Sequence, residues 1–111
     1  ALSKRAFCNS YNGKYEEAIL DFDKVIKLKP DYTFGYLSRG SAKNKLNKFN
    51  QAVVDFNKVL TLEPHNTEAL NNRGWAKKGL KDFEGACADW KQSKKLGNKE
   101  AKIILENNRC K

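Results

Sequence analysis

The chain has 111 residues, 40% of them hydrophobic, enough for one packed domain or a short repeat array. No apolar run reaches the roughly 18 residues that a membrane-spanning helix needs. The net charge is +9, from 22 Lys and Arg against 13 Asp and Glu, which favours an acidic peptide, an anionic surface or nucleic acid as partner. The basic residues are dispersed along the whole chain without a block of five like charges, so a solvated lysine-rich surface accounts for most of the excess.

The chain opens without Met and without a charged-then-apolar leader, and Ala1 already sits inside a helical pattern. A fragment or a mature form of something longer is expected, located in the cytoplasm unless a signal peptide has been lost. Cys8, Cys87 and Cys110 are odd in number, widely spaced and free of any C-x-x-C pattern. They predict no zinc site, no redox motif and no disulfide framework, with a reducing compartment as the mild inference and Cys110 as an incidental exposed thiol.

In chain order, residues 1–12 read as a helix stopped by Gly13. Residues 15–28 follow as an amphipathic helix, with Ala18, Ile19, Phe22, Val25 and Ile26 on the i, i+3, i+4, i+7 stripe. Glu16 and Glu17 in its first turn and Lys27 near its end suit the helix dipole, and Pro30 prevents continuation. Helices are predicted next over 33–46 and 49–62, with Asn47-Lys48 as the turn between them and Glu63-Pro64 as the stop. A third pair covers 67–80 and 83–96, with Lys81-Asp82 as the turn and Asp82 able to cap the second helix. Gly97 ends that helix, and Asn98 is placed to cap a closing helix over 99–108. No strand pattern competes with these windows.

A ruler runs through the chain. Arg39, Gly40, Ala42, Ala52, Asp55 and Phe56 recur 34 residues later as Arg73, Gly74, Ala76, Ala86, Asp89 and Trp90. The same lattice upstream holds Arg5, Ala6, Ala18, Asp21 and Phe22. A fixed period of this length signals stacked helical hairpins, because a lone pair cannot bury both of its apolar faces. Gly in mid-helix costs about 1 kcal/mol against Ala, so Gly40 and Gly74 are best explained by close helix crossing. Phe22, Phe56 and Trp90 are expected to fill the space between one unit and the next, and the repeated Arg to bond neighbouring units, with the repeated Asp as a candidate partner.

The order of Tyr36, Gly40, Ala52, Phe56 and Pro64 resembles the tetratricopeptide repeat (TPR) family. Its counterparts are Leu2, Ala6, Ala18, Phe22 and Pro30 in the first unit and Leu70, Gly74, Ala86, Trp90 and Asn98 in the third. The stretch from Gly85 to Ala101 also resembles the last repeat of bacterial TPR proteins, particularly those of the Bacteroidetes. The resemblance implies an all-α fold: one domain of three helix-turn-helix units (1–32, 33–66, 67–100) closed by a capping helix, in a right-handed superhelical array.

It further implies a concave groove lined by the first helix of each unit and used to hold a peptide or protein partner. Residue by residue, that groove maps to Ser3, Phe7, Ser10 and Tyr11, then Phe34, Leu37, Ser41, Asn44 and Lys45, then Glu68, Asn71, Asn72, Trp75 and Lys78, with Lys102 extending the set from the last helix. Aromatic anchors with Lys45 and Lys78 beside them suit a partner bearing carboxylates.

Chaperone-binding members use a carboxylate clamp of Lys and Asn, then Asn, then Lys and Arg. The matching positions here are Ser3 and Phe7, Ser38, and Glu68 and Asn72, so the clamp is not expected; a frame shifted by one unit fails as well. No catalytic set assembles around the single histidine, His65, and no phosphate loop or metal cluster is present in the sequence. The expectation is a binding scaffold without cofactor, catalysis or small-molecule substrate. A nucleic-acid-binding helical repeat is the weaker alternative and self-association through the array's ends a third.

Overall fold

The computed structural model describes residues 14–110. The helix expected over 1–12, with Phe7 and Tyr11, lies outside them. Six helices follow: α1 (Tyr15–Leu28), α2 (Thr33–Lys45), α3 (Phe49–Leu62), α4 (Thr67–Gly79), α5 (Phe83–Lys95) and α6 (Lys99–Asn107). Predicted and observed bounds differ by at most one residue, and the extra residue at each of four C-termini is the helix cap. No strand occurs among the described residues.

The turns are built by one local device. Asn47, Lys81, Gly97 and Arg109 take positive φ, between 54° and 99°. The next residue then sends its N–H back to a carbonyl five positions upstream: Lys48 to Lys43 at 2.8 Å, Asp82 to Lys77 at 2.8 Å, Asn98 to Ser93 at 3.1 Å and Cys110 to Leu105 at 3.0 Å. This left-handed closure satisfies carbonyls that a helix end leaves open. The next helix then starts at once: Asp82 accepts from the Gly85 N–H and Asn98 from the Ala101 N–H, each at 3.0 Å, and Asn66 caps α4 in the same way.

Packing follows chain order. α2 pairs with α3 and α4 with α5; α1 leans on α2, α3 on α4, and α6 on α5. The first helices α2 and α4 also touch each other, while the second helices α1, α3 and α5 make no comparable contact. The layer of first helices is therefore the tighter, inner side of the array. The core follows the predicted stripe: Ala18, Phe22, Ala52, Phe56, Val59, Ala76, Ala86 and Trp90 are essentially inaccessible. A Cβ built on Gly40 would lie 2.7 Å from the Phe56 ring, and one on Gly74 would strike the Trp90 indole. The repeated aromatic thus packs inside its own helix pair, and Phe56 also joins the cluster that holds Ala69 and Ala76 of the following pair. The expected filling between one unit and the next is thus present at Phe56, with the packing inside its own pair in addition.

The repeated Arg and Asp meet. Arg39 Nε and Nη2 donate to both oxygens of Asp55, at 3.0 and 2.7 Å, and Nη1 donates to Asp23 of α1 at 2.7 Å. Arg73 bonds Asp89 at 2.8 and 2.7 Å and Asn57 of α3 at 2.9 Å. Lys43 and Lys77 add a second cation to Asp55 and Asp89. Each arginine therefore ties three helices: the two of its own pair and the second of the pair before. The bond to Asp55, with Asp23 as second partner, raises the Arg39 pKa above its already high ordinary value despite partial burial.

The cysteine expectation is overturned. Cys87 of α5 and Cys110 form a disulfide that anchors the end of α6 to α5, beside the cluster of Ala86, Trp90 and Leu105.

Candidate functional site

On the inner side, between α2 and α4, lies a groove of about 510 Å³. Ser41, Asn44 and Lys45 come from α2, Asn72 and Trp75 from α4, and Phe49 from the start of α3. Helical spacing accounts for the set: Ser41, Asn44 and Lys45 stand three and four apart on one face, as do Asn72 and Trp75. Asn44 Nδ2 donates to the Asn72 carbonyl at 3.0 Å, which fixes the groove floor to both walls.

Trp75 is the anchor of this surface. It is 40% exposed, although a side chain of its size is mostly buried in monomeric domains. Its ring meets Trp90 edge-on with centroids 5.0 Å apart, and Lys78 Nζ stands 5.3 Å from its centroid. Lys78 is oriented in turn by Asn108 Oδ1, which accepts its ammonium hydrogen. The Trp75 ring is thus held from two sides, and an anchor with few free rotamers costs little entropy to engage.

Five of the residues mapped from the sequence, Ser41, Asn44, Lys45, Asn72 and Trp75, come together here. Lys78 stands at the rim, lining a neighbouring cavity with Phe83 and Arg109. Phe34 is exposed at the other end of α2, tilted against Tyr32 at 5.8 Å. Leu37 and Asn71 do not present themselves to the groove, which corrects their assignment. Leu37 is 9% exposed and packs with Ala52, Phe56 and Val59. Asn71 is 6% exposed; its Nδ2 donates to Asn98 Oδ1 and its carbonyl accepts the Trp90 indole N–H. Phe49 was missed. The available signal was Gly79, whose missing Cβ leaves room for the Phe49 ring.

Among the described residues no group of His, Cys, Asp and Glu could hold a metal ion, and no helix is long and apolar enough to cross a membrane.

Comparison with known proteins gives one consistent result. Tetratricopeptide repeat profiles match residues 1–32 and 35–66. The first TPR domain of the human RPAP3 protein is 30% identical, with a TM-score of 0.91 over 97% of this chain and 87% of that one. The first TPR of Spaghetti (RPAP3) bound to the HSP90 peptide SRMEEVD is also 30% identical, with a TM-score of 0.90 and the same coverage. The second TPR domain of human RPAP3, in complex with the HSP70 peptide SGPTIEEVD, is 26% identical, with a TM-score of 0.90 over 100% of this chain and 94% of that one. Among curated proteins no match was found.

Proposed function

We propose, from the premise that the chain belongs to the tetratricopeptide repeat family, that it is a scaffold holding a peptide segment of another protein against the α2–α4 groove. The observation that carries the reading is Trp75, a half-exposed tryptophan held rigid at the edge of a groove with polar walls. Trp is favoured where one side chain dominates an interface, and Ser41, Asn44 and Asn72 offer hydrogen bonds to an extended backbone. Two similar structures hold chaperone peptides ending in EEVD. At the positions of the carboxylate clamp this chain has Ser38, Glu68 and Asn72, so the proposed ligand is an internal segment and not a chain terminus. Lys45, exposed beside the groove, favours an acidic residue in it.

Binding, not catalysis, is the activity proposed. The disulfide weighs against the cytoplasmic compartment read from the sequence and favours an oxidising one, where such a bond persists. Self-association belongs to the same proposal as a secondary mode, and sedimentation showing only monomer at high concentration removes it.

The test is a peptide array probed with the full chain and two variants. Trp75→Ala is expected to lower affinity for retained peptides about tenfold or more, and Lys45→Glu to weaken the acidic ones most. Lys45→Glu should keep the parent's melting temperature, because its side chain is exposed, whereas Trp75→Ala gives up the ring contact with Trp90 and is compared at a temperature where its helical signal equals the parent's. Unchanged affinity in both variants assigns binding to another face.

A further inference from the structure

A second cleft opens between α5 and α6, with a volume of about 500 Å³. Four lysines surround it: Lys91, Lys94 and Lys95 from α5 and Lys102 from α6. Its floor is apolar, made by Leu105, which is 9% exposed, and by Cys110 in its disulfide. The ion pairs among the described residues converge on Asp23, Asp55 and Asp89, and none involves these lysines. Glu106, the acid at the rim, holds no ion pair either.

The repeat shows how unusual this face is. Lys91 stands at the position of Asp23 and Asn57, which accept Nη1 of the arginine from the following helix pair. On the closing helix, Asn107 occupies the place of Arg39 and Arg73. Between α5 and α6 the acceptor has become a cation and the arginine has gone. Lys94 likewise replaces Ile26 and Leu60, which are partly covered by the next pair. Lys94 and Lys95 complement the C-terminal dipole of α5, but Lys91 lies a turn earlier and Lys102 on another helix. The face therefore gathers four cations with no ion-pair partner among the described residues. It fits the opposite charge.

We infer that the α5–α6 cleft docks an acidic segment of a partner protein, with carboxylates on Lys91, Lys94, Lys95 and Lys102 and one apolar side chain on the Leu105–Cys110 floor. A protein fits better than a nucleic acid: no aromatic lines the cleft to stack a base, and no arginine fork meets a phosphate. The site is separate from the Trp75 groove and shares no residue with it.

The experiment is a low-salt anisotropy titration of the full chain with a labelled dodecapeptide of glutamates around a central leucine. The triple variant Lys91→Glu, Lys94→Glu, Lys102→Glu should bind about tenfold or more weakly, and replacing the peptide's leucine by serine should weaken it severalfold. Trp75→Ala should leave the affinity unchanged. Equal affinity for the triple variant overturns the site. So does an equally tight leucine-free peptide, which would reduce the face to a diffuse cationic surface. Loss of binding in Trp75→Ala would move the peptide to the groove, and a single-stranded oligonucleotide that outcompetes the peptide would replace protein by nucleic acid.

Discussion

Gly40 and Gly74 set how closely each first helix approaches the aromatic of its partner. Two effects of alanine oppose each other at these positions. Alanine gains about 1 kcal/mol of helix propensity over glycine. Its Cβ, however, would stand 2.7 Å from a Phe56 ring that is itself inaccessible and cannot swing aside. Overpacking of a closed core costs about 1–3 kcal/mol, so the clash wins. Gly40→Ala is expected to be destabilising by about 1 kcal/mol net, read as a lower urea midpoint at unchanged slope; a midpoint equal to or above the parent's would show that the crossing has slack. The glycine was legible in the sequence because a mid-helix glycine at a fixed period asks for a steric reason. The burial of Asn71 was not: a polar residue one helical step from Asn72 reads as groove, and only the tertiary partners Asn98 and Trp90 explain its place inside.

At the scale of the element, helix ends repeat more faithfully than helix bodies. The left-handed closure costs a non-glycine residue about 1 kcal/mol, yet lysine occupies it at Lys81 with φ of 66°. Lys81→Gly relieves that strain and loses part of the gain to a freer unfolded chain, leaving an expected stabilisation of about 0.5 kcal/mol, seen as a raised melting temperature. A drop would mean that the Lys81 side chain supports the turn. Between the ends of α2 and α3, Glu63 accepts from Asn66 and from Thr33, each at 2.9 Å, and these two bonds hold its pKa below the ordinary carboxylate range. A depressed folded pKa stabilises above the unfolded value, about 4.3, and the gain is lost as pH falls through the lowered one. The melting difference between parent and Glu63→Ala should therefore be small, present at pH 6 and absent at pH 2; a gap that persists in acid would assign Glu63 a role independent of its charge. Helix boundaries were readable here because Pro30, Pro64 and Gly97 punctuate the chain, whereas the Thr33–Glu63 staple spans 30 residues and leaves no local pattern.

Across the whole molecule, each helix pair leans only on its neighbours, so stability is close to a sum of units and interfaces, and an end can open alone. α6 is the last of the described helices. It packs on α5, takes an N-cap from Asn98 and is tied down by Cys87–Cys110. The cysteine spacing concealed this bond, since the pairing depends on the reversal at Arg109 that brings residue 110 back to α5, and an odd cysteine count carries no such geometry. Closing a loop across a separation of 23 residues stabilises by about 3 kcal/mol in the chain-entropy view. In a linear array that contribution falls mainly on the end it closes. The variant Cys87→Ser with Cys110→Ser is thus expected to lose amide protection throughout α6 and in the last turn of α5, while α2 and α3 exchange as in the parent. Loss of protection spread evenly over all helices would show that the array unfolds as one cooperative body, with the disulfide acting on the whole of it.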